Sequence, residues 1–277
     1  MPRLSHGRGA LALLALILLL GAPSGAGEAP TDDTEVERFL RKGKIVSIEP
    51  IGTGVTRPKR VTLELDGVTL RAAFKNVDSR IDRAVLQDGT VQLAFTDSFH
   101  NERAAYLLAR KLGIRMVPVT VVRSIGADRG ALTIWVEDAI TQKAFREKGV
   151  EPDESLAFQR DLMAVFDALI HNDDRNTGNQ LITPDNRLHL IDHSRSFRNA
   201  GVLPEHFLTG RYRLTRELFE SIEQLDGDEV KKLLRRHLNG KQIKALMARR
   251  DQVVTKLQVD LQNHGEEALF TDWTHLH

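Results

Sequence analysis

The sequence predicts an α+β fold in two lobes, an antiparallel β-sheet with one helix followed by a mainly helical half. Three observations predict it. Short β-branched stretches separated by turn signals run from Lys44 to Val136, which marks a series of strands. One amphipathic helix interrupts them at Asn101–Leu112 and stops at Gly113. From Ser155 onward apolar residues recur at helical spacing, broken by a small hairpin pattern near Gln180.

With 277 residues the chain has material for one large domain or two lobes, and its 41% hydrophobic and 28% charged residues are the proportions of a soluble globular protein. Tyr and Trp are scarce and no basic stripe is interleaved with aromatics, so no nucleic-acid partner is expected. There is no cysteine, hence no disulfide, and the core alone must hold the fold.

Residues 1–26 read as a signal peptide. Arg3 and Arg8 form a basic start, Ala10–Leu20 is an unbroken apolar run, and Ser24-Gly25-Ala26 offers a small-residue cleavage site. Eleven apolar residues are short for a membrane span, which needs roughly twenty. Export is therefore expected, to a periplasmic, envelope-associated or secreted location, with no stable membrane span after cleavage. Loss of Arg3 and Arg8 from 39 basic residues leaves 37 against 38 acidic ones, so net charge selects no partner.

Residues 27–43 form a polar lead-in. The sheet lobe then spans 44–139. Its first strands are Lys44–Ile51, Lys59–Leu65 and Val68–Lys75, with Gly52, Thr53 and Gly54 between the first two and a strong Asp66-Gly67 hairpin signal between the next two. Each feature has an ordinary reading, since inter-strand glycines serve turns and strand-end lysines serve solvated edges. Their order carries more: a flexible glycine loop can lie over phosphates that a lysine from the third strand reaches. Lys75 is that lysine. Residues 76–99 read as an irregular polar insertion holding one short helix or strand. Glu102, in the first turn of the following helix, either complements the helix dipole or forms an ion pair that holds Lys75 towards phosphate.

Val117–Arg123 and Ala131–Val136 complete five strands, and Trp135–Ala139 connects to the second lobe, residues 140–277. Backbone groups of such a connector, at Val136 and Glu137, are candidates for binding an adenine edge. Lys143–Glu154 is charged, contains Gly149 and Pro152, and reads as a loop. Ser155–Ile170 is an amphipathic helix with Leu156, Leu162, Val165, Phe166, Leu169 and Ile170 inward. Three further helices are expected at Thr215–Leu225, Asp228–Leu238 and Lys241–Gln262.

The chemistry concentrates in the intervening His171–Arg195, HNDDRNTGNQLITPDNRLHLIDHSR. Asp174 precedes Asn179 by five residues, and Asp192 follows a hairpin pattern around Pro184-Asp185-Asn186. Asp, Asn and Gly also cluster in ordinary turns. A calcium loop fails, because Thr177 and Thr183 stand where its glycine and bidentate acid belong. In the remaining functional reading Asp174 accepts a proton from an attacking hydroxyl. Asn179 and Asp192 then supply hard oxygen ligands to a divalent ion on nucleotide phosphates.

Taken together, a glycine loop, a strand Lys, a helix Glu, then D-R-N-x-G-N and I-D-H, resemble the protein-kinase-like superfamily in its atypical branches. Asp174-Arg175-Asn176-Thr177-Gly178-Asn179 and Ile191-Asp192 resemble the D-R-x-x-x-N loop and later I-D of phosphatidylinositol 3- and 4-kinases. Asp192-His193-Ser194-Arg195-Ser196-Phe197 resembles the pattern of the family-with-sequence-similarity-20 secretory kinases, which are also exported. The resemblance implies a two-lobed kinase-like fold, ATP with Mg²⁺ or Mn²⁺, and Asp174 as catalytic Asp. It makes Lys75 the phosphate-binding lysine, Glu102 its partner, Gly52, Thr53 and Gly54 the nucleotide loop, and Asn179 and Asp192 the metal ligands. The expected activity is γ-phosphate transfer to a hydroxyl of a protein, sugar or lipid. Alternatives on the same fold are a pseudokinase that only binds nucleotide and a transferase of the nucleotidyl (AMP) group. His193 replaces the usual Phe-Gly after the metal Asp and no Ala-Pro-Glu follows, so the ordinary peptide-docking platform is not expected.

Overall fold

The computed structural model describes residues 29–272 except 31, 53–56, 86–88, 90 and 150; the expected signal peptide and the loop residues Thr53 and Gly54 lie outside the described residues. The polar lead-in carries a helix, α1 (Asp33–Lys42). Asp32 caps it by accepting the Glu35 N–H at 2.8 Å, and Phe39 and Leu40 bury its one apolar edge. With charges on every other face, that edge is too narrow to stand out in the sequence.

Strands β1 (Lys44–Pro50), β2 (Lys59–Leu65) and β3 (Val68–Lys75) form an antiparallel meander. Asp66 (φ 53°) and Gly67 (φ 78°) both adopt the left-handed region that a tight two-residue hairpin requires. The insertion after β3 is more regular than expected: β4 (Asp78–Val85) and β5 (Val91–Ser98) make a separate two-stranded ribbon, with Asp78 opposite Ser98 and Val85 opposite Val91. The sequence holds the signal for it in Asp88-Gly89 between the two strands, and Gly89 takes φ 84°.

Helix α2 (Phe99–Lys111) starts at Ser98, whose hydroxyl accepts the His100 N–H at 3.2 Å. It packs on β6 (Thr120–Ile125) and β7 (Asp128–Ile134), which complete a sheet in the order β1-β2-β3-β7-β6. Lys75 pairs across to Ala131, next to Gly130. Any Cβ at Gly130 would collide with the Lys75 carbonyl oxygen and the Phe74 ring, so this crossing of β3 and β7 requires glycine.

The second half begins with β8 (Ile140–Thr141) and α3 (Gln142–Glu147), a helix where the sequence predicts a loop. The Thr141 hydroxyl caps it on the Ala144 N–H, and Phe145 is buried, which together outweigh the charged composition. Helix α4 (Glu154–Ile170) leads to β9 (Gln180–Ile182) and β10 (Leu188–Leu190), the expected hairpin, which β8 joins as a third strand. Helices α5 (Glu205–Thr209), α6 (Arg216–Glu223), α7 (Gly227–Leu234), α8 (Gly240–His264) and α9 (Glu266–Leu269) close the chain. Among the described residues no helix is long and apolar enough to cross a membrane.

One hydrophobic core runs through both halves, from Phe74, Leu108 and Leu132 to Phe166, Leu169 and Leu246. Each fully buried Phe or Leu stabilises by roughly 1.5–3 kcal/mol. Polar contacts fix the halves to each other. Leu190 N–H donates to Met116 O at 2.8 Å, and Asn101, buried on α2, donates through Nδ2 to Ser194 O (2.7 Å) and Ser196 O (2.9 Å). These bonds set α2 in register with the chain that follows β10.

Candidate active site

Helix α4 ends at His171, which takes φ 51° and ψ 65° and turns the chain out of the helix. The loop that follows is held by Asp167, one turn back. Its carboxylate receives the Arg175 guanidinium as a fork, Nε to Oδ2 at 2.8 Å and Nη2 to Oδ1 at 3.0 Å, plus Asn172 Nδ2 at 3.1 Å. The third arm, Arg175 Nη1, donates to Asn179 O (2.9 Å) and Ile191 O (2.7 Å), joining the loop to the end of β10. Asn172 Oδ1 accepts the Asp174 N–H at 3.2 Å, and Asn179 Nδ2 donates to Asp174 O at 2.9 Å. Asp174 is thus fixed from both sides by backbone contacts, leaving its carboxylate half-exposed.

After β10, Asp192 adopts φ 61°, an uncommon conformation for a residue with a Cβ, held here by the surrounding bonds. Its Oδ1 lies 2.8 Å from Lys75 Nζ, and Ser194 Oγ donates to the same oxygen at 3.2 Å. Lys75 Nζ also donates to Glu102 Oε1 at 2.9 Å. The other Glu102 oxygen accepts the His193 N–H at 3.0 Å, with His193 Nδ1 at 3.6 Å. One ammonium therefore connects strand β3, helix α2 and the turn after β10. Burial works against its charge, but Glu102 and Asp192 outweigh burial and raise its pKa. Burial likewise opposes ionised Glu102, and Lys75 with His193 overcomes it and holds the carboxyl below its ordinary range.

Asp174 behaves differently. Burial raises its pKa, Arg195 lowers it, and Asp192 and Asp97 raise it, with a net upward shift. A half-exposed carboxylate made more basic by its surroundings suits proton acceptance. Its neighbour Asp173 is committed elsewhere, to His171 Nε2 at 3.2 Å and to Arg198. These partners overcome burial and lower the Asp173 pKa.

The structure thus brings Lys75, Glu102 and Asp192 into direct contact and sets Asp174 and Asn179 in one loop beside them. Gly52 has φ 79° at the open end of β1. Val136 is half-buried, while Glu137 is exposed and its carboxylate pairs with Arg71. Asp192 and Asn179 offer hard oxygen donors, which fit Mg²⁺ or Mn²⁺. Among the described residues no three His, Cys, Asp or Glu side chains could cage an ion. An ion shared with phosphates uses one or two carboxylates and needs no cage.

Asp167 stands in no motif of the sequence, and Arg175, His193 and Arg195 stand in its motifs without a role assigned to them. The role of Arg195 depends on Asp97, 98 positions earlier. Arg195 Nε donates to Asp97 Oδ2 at 3.1 Å while Nη1 lies 3.3 Å from Asp174 Oδ2.

No protein-family model matches the sequence, and no curated protein matches it. Solved structures do. The Golgi casein kinase has a TM-score of 0.60 at 14% identity, covering 87% of this chain and 78% of that one. The Helicobacter pylori proinflammatory kinase CtkA has a TM-score of 0.48 at 11% identity, covering 78% and 94%. At such identity the likeness to the Golgi enzyme is one of architecture, and it gives this chain a two-lobed α+β, kinase-like fold.

Proposed function

We propose that the chain is an exported, ATP- and divalent-metal-dependent phosphotransferase acting on a hydroxyl of a protein, sugar or lipid. The observation that carries this reading is the single ammonium of Lys75 held between Glu102 and Asp192, with Asp174 half-exposed in the adjoining loop and paired through one oxygen with Arg195. A structural salt bridge would have no need of a third carboxylate, kept basic, in the adjoining loop. The kinase-like architecture supports the same reading.

Asp192 and Asn179 would hold Mg²⁺ or Mn²⁺, and Lys75 with the Gly52–Gly54 loop would hold the phosphates. When bound, ATP supplies the phosphoryl group and the ion neutralises charge on it. Asp174 orients the acceptor hydroxyl and takes its proton. Glu102 keeps the lysine extended toward the cleft, and Arg175 keeps the loop in register with Asp192. Catalysis on this plan is positioning and charge neutralisation, without a covalent enzyme intermediate.

Export rests on Arg3, Arg8, the Ala10–Leu20 run and the Ser24-Gly25-Ala26 site. N-terminal sequencing from the native host should find a chain starting near Gly27; an intact Met1 on cytosolic protein would contradict it. For the nucleotide site, calorimetric titration with ATP should show binding that needs Mg²⁺ or Mn²⁺ and disappears in Asp192→Ala. Equal affinity in that variant would remove Asp192 from the metal site.

A further inference from the structure

The β4–β5 ribbon is linked to the Asp174 loop by way of Arg195. Asp97, near the end of β5, is 5% exposed and gives one oxygen to Arg195 Nε; its other oxygen has no hydrogen-bond partner among the described residues. Two residues earlier on β5, the Phe95 ring lies 5.5 Å from the same guanidinium. The base of the ribbon is tied to the segment that bears Arg195, with Ser98 N–H donating to Ser194 O at 2.9 Å. The free end of the Arg195 fork then meets Asp174 Oδ2 at 3.3 Å.

We propose that Arg195 is the positioning residue for Asp174, and that the β4–β5 ribbon holds it in place through Asp97 and Phe95. A carboxylate on a loop rotates about its own side-chain torsions. A guanidinium fixed at its far end by a buried carboxylate stops that rotation, assigns Oδ2 to the arginine and leaves Oδ1 for the acceptor hydroxyl. Arginine suits this task because its planar fork spans two carboxylates at once, which a lysine ammonium on a flexible stem does not do in one fixed geometry. The ribbon would then belong to the catalytic apparatus. The inference rests on Asp174 orienting the acceptor in the phosphotransfer proposed above.

The test compares wild type with Arg195→Lys, Arg195→Ala, Asp97→Asn and the Asp97→Asn/Arg195→Ala double variant. The readout is ADP release from ATP with Mg²⁺ or Mn²⁺, alongside thermal midpoints. Misplacing a reacting group by about 1 Å costs on the order of 10²-fold, so Arg195→Ala should lose about that much kcat with KM for ATP unchanged. Arg195→Lys and Asp97→Asn should fall in between. Arg195→Ala also strands the buried Asp97, and the double variant relieves that cost. Its thermal midpoint should therefore recover while its kcat stays as low as that of Arg195→Ala. Recovery of kcat together with stability would show a merely structural role and overturn the proposal. So would a rise in KM for ATP at unchanged kcat, which would make Arg195 a phosphate contact. A wild-type chain that releases no ADP would overturn the phosphotransferase reading and this inference with it.

Discussion

Lys75 Nζ stands 2.8 Å from Asp192 Oδ1, so a strand of the sheet half and the turn after the last hairpin share one ion pair. Because Glu102 holds the same ammonium at 2.9 Å, helix α2 is part of the contact. Breaking it should have two separable consequences. Lys75→Met leaves Glu102 buried with only His193 beside it, and loss of one partner of a buried pair costs on the order of 3 kcal/mol. Denaturant unfolding should show that loss, and ATP affinity should fall. Lys75→Met/Glu102→Gln should regain stability but not affinity. Regained affinity in the double variant would show that Lys75 does not meet the phosphates.

Asp173 and Asp174 are adjacent acids with opposite surroundings. Asp174→Asn should keep metal–ATP binding and lose about 10²–10⁴-fold in kcat, the usual worth of general-base assistance. Asp173→Asn weakens contacts to His171 and Arg198 and should lower stability more than turnover. Steady-state kinetics on the two variants decides, and equal kcat losses would misplace the motif by one residue.

Arg249 on α8 is fully buried with its guanidinium bonded to three carbonyls, Leu169 O at 2.8 Å, Arg198 O at 3.1 Å and Ala200 O. It closes the end of α4 against the chain after Asp192. Unsatisfied buried carbonyls cost about 1–3 kcal/mol each, so Arg249→Ala should destabilise by about 3 kcal/mol or more. A change within about 0.5 kcal/mol, the range of an ordinary surface substitution, would count against this role.

His100 and His237 face each other across the two halves with Nδ1 atoms 3.4 Å apart. Burial, then His100 and the nearby Arg103, Arg129 and Arg236, pull His237 from 6.5 down to about 4. The unfolded chain binds this proton near the ordinary value and the folded chain only near 4. The stability contributed is therefore complete above pH 6.5 and lost as pH falls towards about 4. Thermal midpoints across that window should show the fall, and His237→Asn should flatten it; an unchanged slope would refute the assignment.

Legibility in the sequence followed the range of the interactions. The first three strands were readable because Asp66-Gly67 and the β-branched runs act locally, and the loop around Asp174 because its spacing lies within one short stretch. Helix α3 was missed because its charged surface masks a single buried Phe145 and a Thr141 cap. The β4–β5 ribbon was missed although Asp88-Gly89 lies at its turn, because the polar residues of its strands read as loop. Arg195 and Asp97 acquire their role from a contact across 98 positions, which no local spacing announces.

The most direct test of phosphoryl transfer is mass spectrometry of the mature chain and added acceptors after incubation with ATP and Mg²⁺ or Mn²⁺. The expected product carries one phosphate, formed by the wild-type chain and nearly absent with Asp174→Asn. An adenylated product would contradict it by moving the chemistry to nucleotidyl transfer. Tight metal–ATP binding with no modified product and no ADP would contradict it as well, leaving a nucleotide-binding module on a kinase-like fold.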